Sequence, residues 1–166
     1  MSEKEKDTLE ESLSEAGYKK SVSPIDKATL EWDRDFIFVG RTQRRYEIEF
    51  DANLQWGCKP TDTLMLSLAG CLAIDMVMFL RKMKVELASY RIDITGVRNP
   101  TPPQYYKSFE MVVHIAGKNL DPKKVDRAIS LSQEKYCSVY HSLRKDLVVK
   151  ISYVLEEKEP VKKSED

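Results

Sequence analysis

Hydrophobic and polar positions alternate with period two through three short stretches near the start of the chain. Ala28, Leu30 and Trp32 fall on one face against Thr29, Glu31 and Asp33. Phe36 and Phe38 resume the pattern after a turn at Asp33-Arg34-Asp35, and Tyr46, Ile48 and Phe50 repeat it against Glu47 and Glu49. Successive strand side chains point to opposite faces, so these stretches predict an antiparallel meander. A loop over 51–59 comes next, and Pro60-Thr61-Asp62 opens a helix predicted to run to about Met83. Proline suits the first turn, Asp62 the positive end of the helix dipole, and Arg81, Lys82 and Lys84 the negative end. The helix is apolar on nearly every face. Such a helix must be enclosed on all sides, which one small sheet cannot do, so a homodimer is expected.

Two more strands are predicted on either side of a proline-rich turn at 99–103, one carrying Tyr90, Ile92 and Ile94, the other Phe109, Met111, Val113 and Ile115. Asp121-Pro122 starts a second helix, whose Val125, Ala128, Ile129, Ser132, Tyr136, Val139, Tyr140 and Leu143 recur at helical spacing. Leu147, Val149, Ile151, Tyr153 and Leu155 form the last strand. The order βββ-α-ββ-α-β makes an α+β domain rather than alternating parallel units. Its expected extent is 21–157, between polar tails at 1–20 and 158–166.

Composition narrows the function classes. With 27 Lys plus Arg against 27 Asp plus Glu, no net field would hold nucleic acid or an anionic membrane. Leu64 to Leu80 approaches membrane-spanning length, but it carries Asp75, Ser67 and a glycine, so a buried helix is expected and no membrane. The charged N-terminus is followed by no apolar run, so no secretory leader is expected. Three cysteines without a framework of spacings argue against a secreted disulfide scaffold, and the cytoplasm is the expected address. Neither a glycine-rich phosphate loop nor a Gly-x-Ser-x-Gly elbow occurs, and no cofactor is expected.

The candidate chemistry is thiol chemistry. Ser67, Cys71 and Asp75 are spaced by four, so they project from nearly one line of the first helix. A polar stripe on an apolar helix must face a partner, a pocket or a polar core contact. Gly70 beside Cys71 costs about 1 kcal/mol relative to alanine, which suggests that a backbone or a substrate approaches there. Cys71 as a small buried hydrophobe stays open as the bland alternative. Cys137 lies late in the second helical segment, where Ser138 could cap a short continuation through Leu143. Either the thiol sits near that new helix start, with Lys135 and Arg144 in the neighbourhood, or it merely flanks the apolar stripe of a continuous helix. His141, one turn on, could serve as a base or be a plain exposed histidine. His114 is expected to face solvent beside Glu110. Cys58 falls in the loop before the first helix. A zinc site from the cysteines and a histidine lacks ligand spacing, so no metal is expected.

Pro60-x-Asp62-x-Leu64 followed by Ser67-Leu68-Ala69-Gly70-Cys71-Leu72-Ala73-Ile74-Asp75 resembles the first cysteine segment of the OsmC/Ohr family. Leu131-Ser132-x-Glu134-Lys135-Tyr136-Cys137-Ser138-Val139 resembles its second, and Ala28-x-Leu30-x-Trp32 with Phe38-x-Gly40 also fits. The Cys-x-x-Ile-Asp pattern is similar to a less characterised branch. The resemblance implies an intertwined homodimer, with two long central helices wrapped by antiparallel sheets of both chains. It implies a thiol peroxidase acting on small organic hydroperoxides and re-reduced by a dithiol. Cys71 would attack the peroxide, Cys137 would resolve the product as a disulfide, and an apolar pocket of Leu, Met and Tyr side chains would favour alkyl substrates. The family's peroxidases carry a glutamate directly after the opening proline, positioning an arginine; Thr61 stands there, and Asp62 is the nearest acid. Arg34, Arg41, Arg44 and Arg45 lie in the right region without a matching motif. That departure supports the alternative of a non-catalytic protein holding a small apolar or thiol ligand at the dimer interface. Asp62 and Asp75 are the expected supporting residues.

Overall fold

The structure, a computed structural model, describes residues 24–156. The two polar tails expected from the sequence lie outside the described residues. The described residues group into two compact units that divide between Pro60 and Thr61.

The first unit carries the predicted meander: strands β1 (Ala28–Arg34), β2 (Ile37–Thr42) and β3 (Glu47–Asp51), antiparallel in the order β1-β2-β3. Trp32 pairs with Phe38 and Leu30 with Gly40. The first turn lies later than the alternation predicts. Phe36 belongs to it rather than to β2 and is exposed. The reason is local: the turn needs a residue in the left-handed region, and Asp35 takes φ 44°, which a short polar side chain tolerates. After β3, the buried Asp51 carboxylate accepts the backbone N–H groups of Asn53, Gln55 and Trp56 at 2.7, 2.9 and 3.1 Å, organising the loop beyond the strand.

The second unit is built on helix α1 (Pro60–Lys82), close to its predicted length. By length and composition α1 could cross a membrane, yet it packs Leu68, Leu72, Met76, Phe79 and Leu80 into the core of this unit. Strands β4 (Glu86–Arg98) and β5 (Tyr106–Lys118) form a long antiparallel pair, and β6 (Val148–Leu155) joins β5. The pairing of β5 with β6 is parallel, so this sheet is mixed rather than wholly antiparallel. The helical crossover between the two strands causes this, since it returns the chain to the same end of the sheet. As the central strand, β5 buries Phe109, Met111, Val113 and Ile115 at alternate positions, as predicted.

The crossover decides between the two arrangements left open for the second helical segment. Helix α2 (Pro122–Leu131) begins as predicted, with Asp121 accepting the Lys124 N–H at 3.1 Å and Pro122 in the first turn. It does not continue as one long helix. A π-turn spans Ser132–Tyr136, closed by the Cys137 N–H donating to the Ser132 carbonyl at 2.8 Å. Cys137 then turns extended at φ −72° and ψ 96°, and a short helix α3 (Ser138–Ser142) begins. The cap of α3 is Cys137 itself rather than Ser138: its Sγ accepts the Tyr140 N–H at 3.4 Å.

Candidate active site

The stripe Ser67, Cys71, Asp75 runs from surface to core. Ser67 is exposed, Cys71 is half-buried and Asp75 is fully buried, because α1 passes beneath the crossover as it proceeds. The crossover supplies the rest. The break after the π-turn places Cys137 beside α1, and one ligand atom from each of Cys71, Asp75 and Cys137 lies within 4.8 Å of the others. π-Turns inside helices recur at functional sites, since the extra residue per turn re-aims the side chains beyond it. Ser132, which opens the turn, donates its hydroxyl to Asp75 Oδ2 at 2.8 Å, both residues being fully buried. Nearby, Tyr136 packs edge-on against Phe79 at 5.2 Å, and the Tyr90 hydroxyl lies 3.2 Å from Met76 Sδ. Burial raises the Tyr90 phenol above its ordinary range, so it stays protonated.

The two thiols are not equivalent. Burial pushes the Cys137 thiol up to about 12, and its hydrogen bond to Cys71 and the charges of Cys71 and Asp75 act in the same direction. The Tyr140 N–H opposes them and loses. Cys137 therefore holds its proton at neutral pH, while Cys71 is the sulfur with access to solvent. All three cysteines are free thiols.

The OsmC-like protein family model matches residues 50–152 of the chain, a stretch that includes both thiols and Asp75. The chain belongs to this OsmC-like family. Protein YhfA of Escherichia coli is 28% identical over 128 residues, covering 76% of this chain and 96% of YhfA. A crystal structure of a hypothetical protein from Aquifex aeolicus is similar at 27% identity, with a TM-score of 0.75 over 82% of this chain and 100% of that one. The organic hydroperoxide resistance protein OhrB of Bacillus subtilis shares the fold, at 13% identity and a TM-score of 0.54, covering 78% of this chain and 98% of that one.

Other residues singled out in this OsmC-like sequence fall elsewhere. Asp62 lies in the first turn of α1, about 13 Å of helix rise before Cys71, and is not part of the cluster. Among the described residues, nothing outside its own stretch of helix lies within 4 Å of a Cβ built on Gly70, so none of them makes the close approach expected there. His141 is exposed, its ring edge-on to Tyr140 at 5.6 Å. His114 does not simply face solvent: its ring nitrogens lie 3.1 Å from Asp93 and 3.3 Å from Glu156. Within the first unit, the Cys58 backbone forms an isolated parallel β-bridge with Phe50 of β3, and Arg41 pairs with Glu31 and Glu47. Ser132 is the member of the site that pattern reading missed as chemistry. Its one signal is a hydroxyl at a position of the apolar stripe between Ala128 and Tyr136.

Proposed function

We propose that this OsmC-like protein reduces organic hydroperoxides, or related electrophiles, through Cys71 and Cys137. The observation that carries the reading is the convergence of an accessible thiol, a buried thiol and a buried carboxylate within 4.8 Å. The Cys71 thiolate attacks one peroxide oxygen, the O–O bond breaks, and the alkoxide takes a proton and leaves as an alcohol. Cys71 is left as a sulfenic acid. Cys137 sulfur then attacks Cys71 sulfur, its proton passes to the departing hydroxide by way of Asp75, and water leaves as the disulfide forms. A disulfide needs its sulfurs ~2.05 Å apart, a closure of less than about 3 Å from the observed cluster. A dithiol reductant supplies two electrons and two protons by exchange and restores both thiols.

Asp75 is given this role because the protonated resolving thiol needs a base, and the carboxylate beside it is already oriented by Ser132. A homodimer in the cytoplasm is part of the proposal. Leu64, Leu66 and Ile74 of α1 are exposed in the single chain, as are Leu30, Trp32 and Tyr46 of the first unit. A second copy would cover such surfaces, and a reducing compartment suits free thiols.

The experiment is consumption of cumene hydroperoxide beside hydrogen peroxide, with dihydrolipoamide as reductant. Multiple turnover favouring the organic peroxide is expected, abolished in Cys71→Ser and reduced to a single round with over-oxidation in Cys137→Ser. Full multi-turnover activity in Cys71→Ser would overturn the assignment. No turnover by the reduced wild-type protein would leave the family's ligand-holding alternative as the better account.

A further inference from the structure

We propose that Cys71, Cys137 and Asp75 together form a binding site for a thiophilic divalent cation, Zn2+ above others. The donor set is two sulfurs and a carboxylate oxygen, gathered within 4.8 Å of one another. Two soft donors select against Mg2+ and Ca2+, which take oxygen ligands. Tetrahedral Zn2+ binds thiolate at ~2.3 Å and carboxylate oxygen at ~2.0–2.2 Å, so its ligand atoms stand roughly 3.5–3.8 Å apart. The cluster is about 1 Å wider than that at most. Cys71, half-buried and on the open side, is the side chain with room to close the difference.

Three further features of the structure suit a cation. A carboxylate and two sulfurs converge where Asp75 is fully buried and Cys137 is 1% exposed. Burial of two of the three donors limits the access of water that would compete with them for the ion. Ser132 donates to Asp75 Oδ2 at 2.8 Å, the outer-shell contact that orients a ligating carboxylate. Three protein ligands are one fewer than a tetrahedral ion takes, the arrangement of an open rather than a closed zinc site. Binding releases the thiol protons, including the one Cys137 holds, and joins both sulfurs to the metal with no change of oxidation state. Zinc and the disulfide are then mutually exclusive occupants of the same pair of sulfurs.

This site uses the side chains of the proposed peroxidase but not its chemistry, so metal binding and peroxide turnover are measured separately. The fully reduced, full-length protein is titrated with Zn2+ against a chromogenic chelator. One ion per chain is expected, unchanged in Cys58→Ser and lost in Cys71→Ser and in Cys137→Ser. Ser132→Ala is expected to weaken binding ~10–100-fold, as loss of an outer-shell contact does. Because a cysteine variant could fold poorly, Cd2+ is added to the wild-type protein as a second probe. Its ultraviolet thiolate-to-metal band should reach the intensity of two thiolates per ion, and stoichiometric Zn2+ should protect Cys71 from iodoacetamide. Absence of chelator-resistant zinc in the reduced wild-type protein would overturn the site. So would stoichiometric zinc that survives Cys71→Ser, or a Cd2+ band of single-thiolate intensity. If zinc binds but the chelator-stripped protein turns over no peroxide, the peroxidase reading fails and the metal site stands.

Discussion

The Ser132 hydroxyl donates to Asp75 Oδ2 at 2.8 Å across 57 positions of sequence, with neither residue exposed. This bond ties the π-turn to the middle of α1 and so sets where the chain breaks to present Cys137. Removing one partner of a buried hydrogen bond costs about 1–3 kcal/mol, because the other is left unsatisfied. Ser132→Ala is expected to lower stability by that order, read as a reduced urea midpoint at unchanged slope, and to slow disulfide closure between Cys71 and Cys137. A variant as stable as wild type would show the bond to be idle.

Cys137 gives an alkaline signature. Its folded value is raised from the ordinary 9.0 to about 12, so the folded state favours the protonated thiol. Below 9.0 both states hold the proton and this group leaves stability unchanged. As pH rises from 9.0 toward about 12 the unfolded chain ionises first, and stability is lost through that window. Thermal midpoints of the reduced protein should fall there, and Cys137→Ser should remove that part of the fall.

The same shift separates the thiols chemically. Near neutral pH, limiting iodoacetamide should label Cys71 well before Cys137, since only a thiolate reacts and Cys137 is buried and protonated. Peptide mass mapping after short exposure reads the order. Cys137 labelled first would reverse the proposed roles.

Asp51 carries the opposite dependence. The N–H of Asn53, then those of Trp56 and Gln55, with the charge of Arg34, hold its carboxyl below the usual range against the effect of burial. A depressed folded value stabilises above the unfolded value, and that contribution is lost as pH falls through the folded one. Proteolysis of the 51–58 loop should therefore increase in acid. Asp51→Asn should show the increase already at neutral pH.

Gly96 sits where β4 passes the rings of Tyr106 and Phe109, which lie 4.5 Å apart. A Cβ there would fall 2.5 Å from Tyr106 and 2.9 Å from Phe109. Gly96→Ala should cost about 1–3 kcal/mol by overpacking, measured by denaturant unfolding. Tyr106→Leu in the same chain should restore part of it.

Much of this was legible in the chain. Period-two alternation identified β4 to β6 through a face that is more buried at alternate residues along much of each strand, and it located the meander β1 to β3 apart from one misplaced turn. Pro60, Asp121 and Pro122 marked the two helix starts, because caps are satisfied by their own neighbours. The spacing of Ser67, Cys71 and Asp75 placed them on one line of α1, and the family resemblance paired Cys71 with Cys137. The misplaced turn at Asp35 shows the limit of alternation: a left-handed residue inside a polar run leaves no hydrophobic trace.

What the sequence alone determined, then, are the elements, their order and the polar stripe, all properties of residues a few positions apart. Only tertiary structure decided that the crossover breaks at Cys137, that β6 runs parallel to β5, and that Ser132 is the partner of Asp75. These depend on which distant groups meet, and a hydroxyl on an apolar stripe looks the same in sequence whether it caps its own helix or satisfies a buried carboxylate 57 residues away. The need to satisfy every buried polar group supplies the physical reason, and it can be read only once the burial is known.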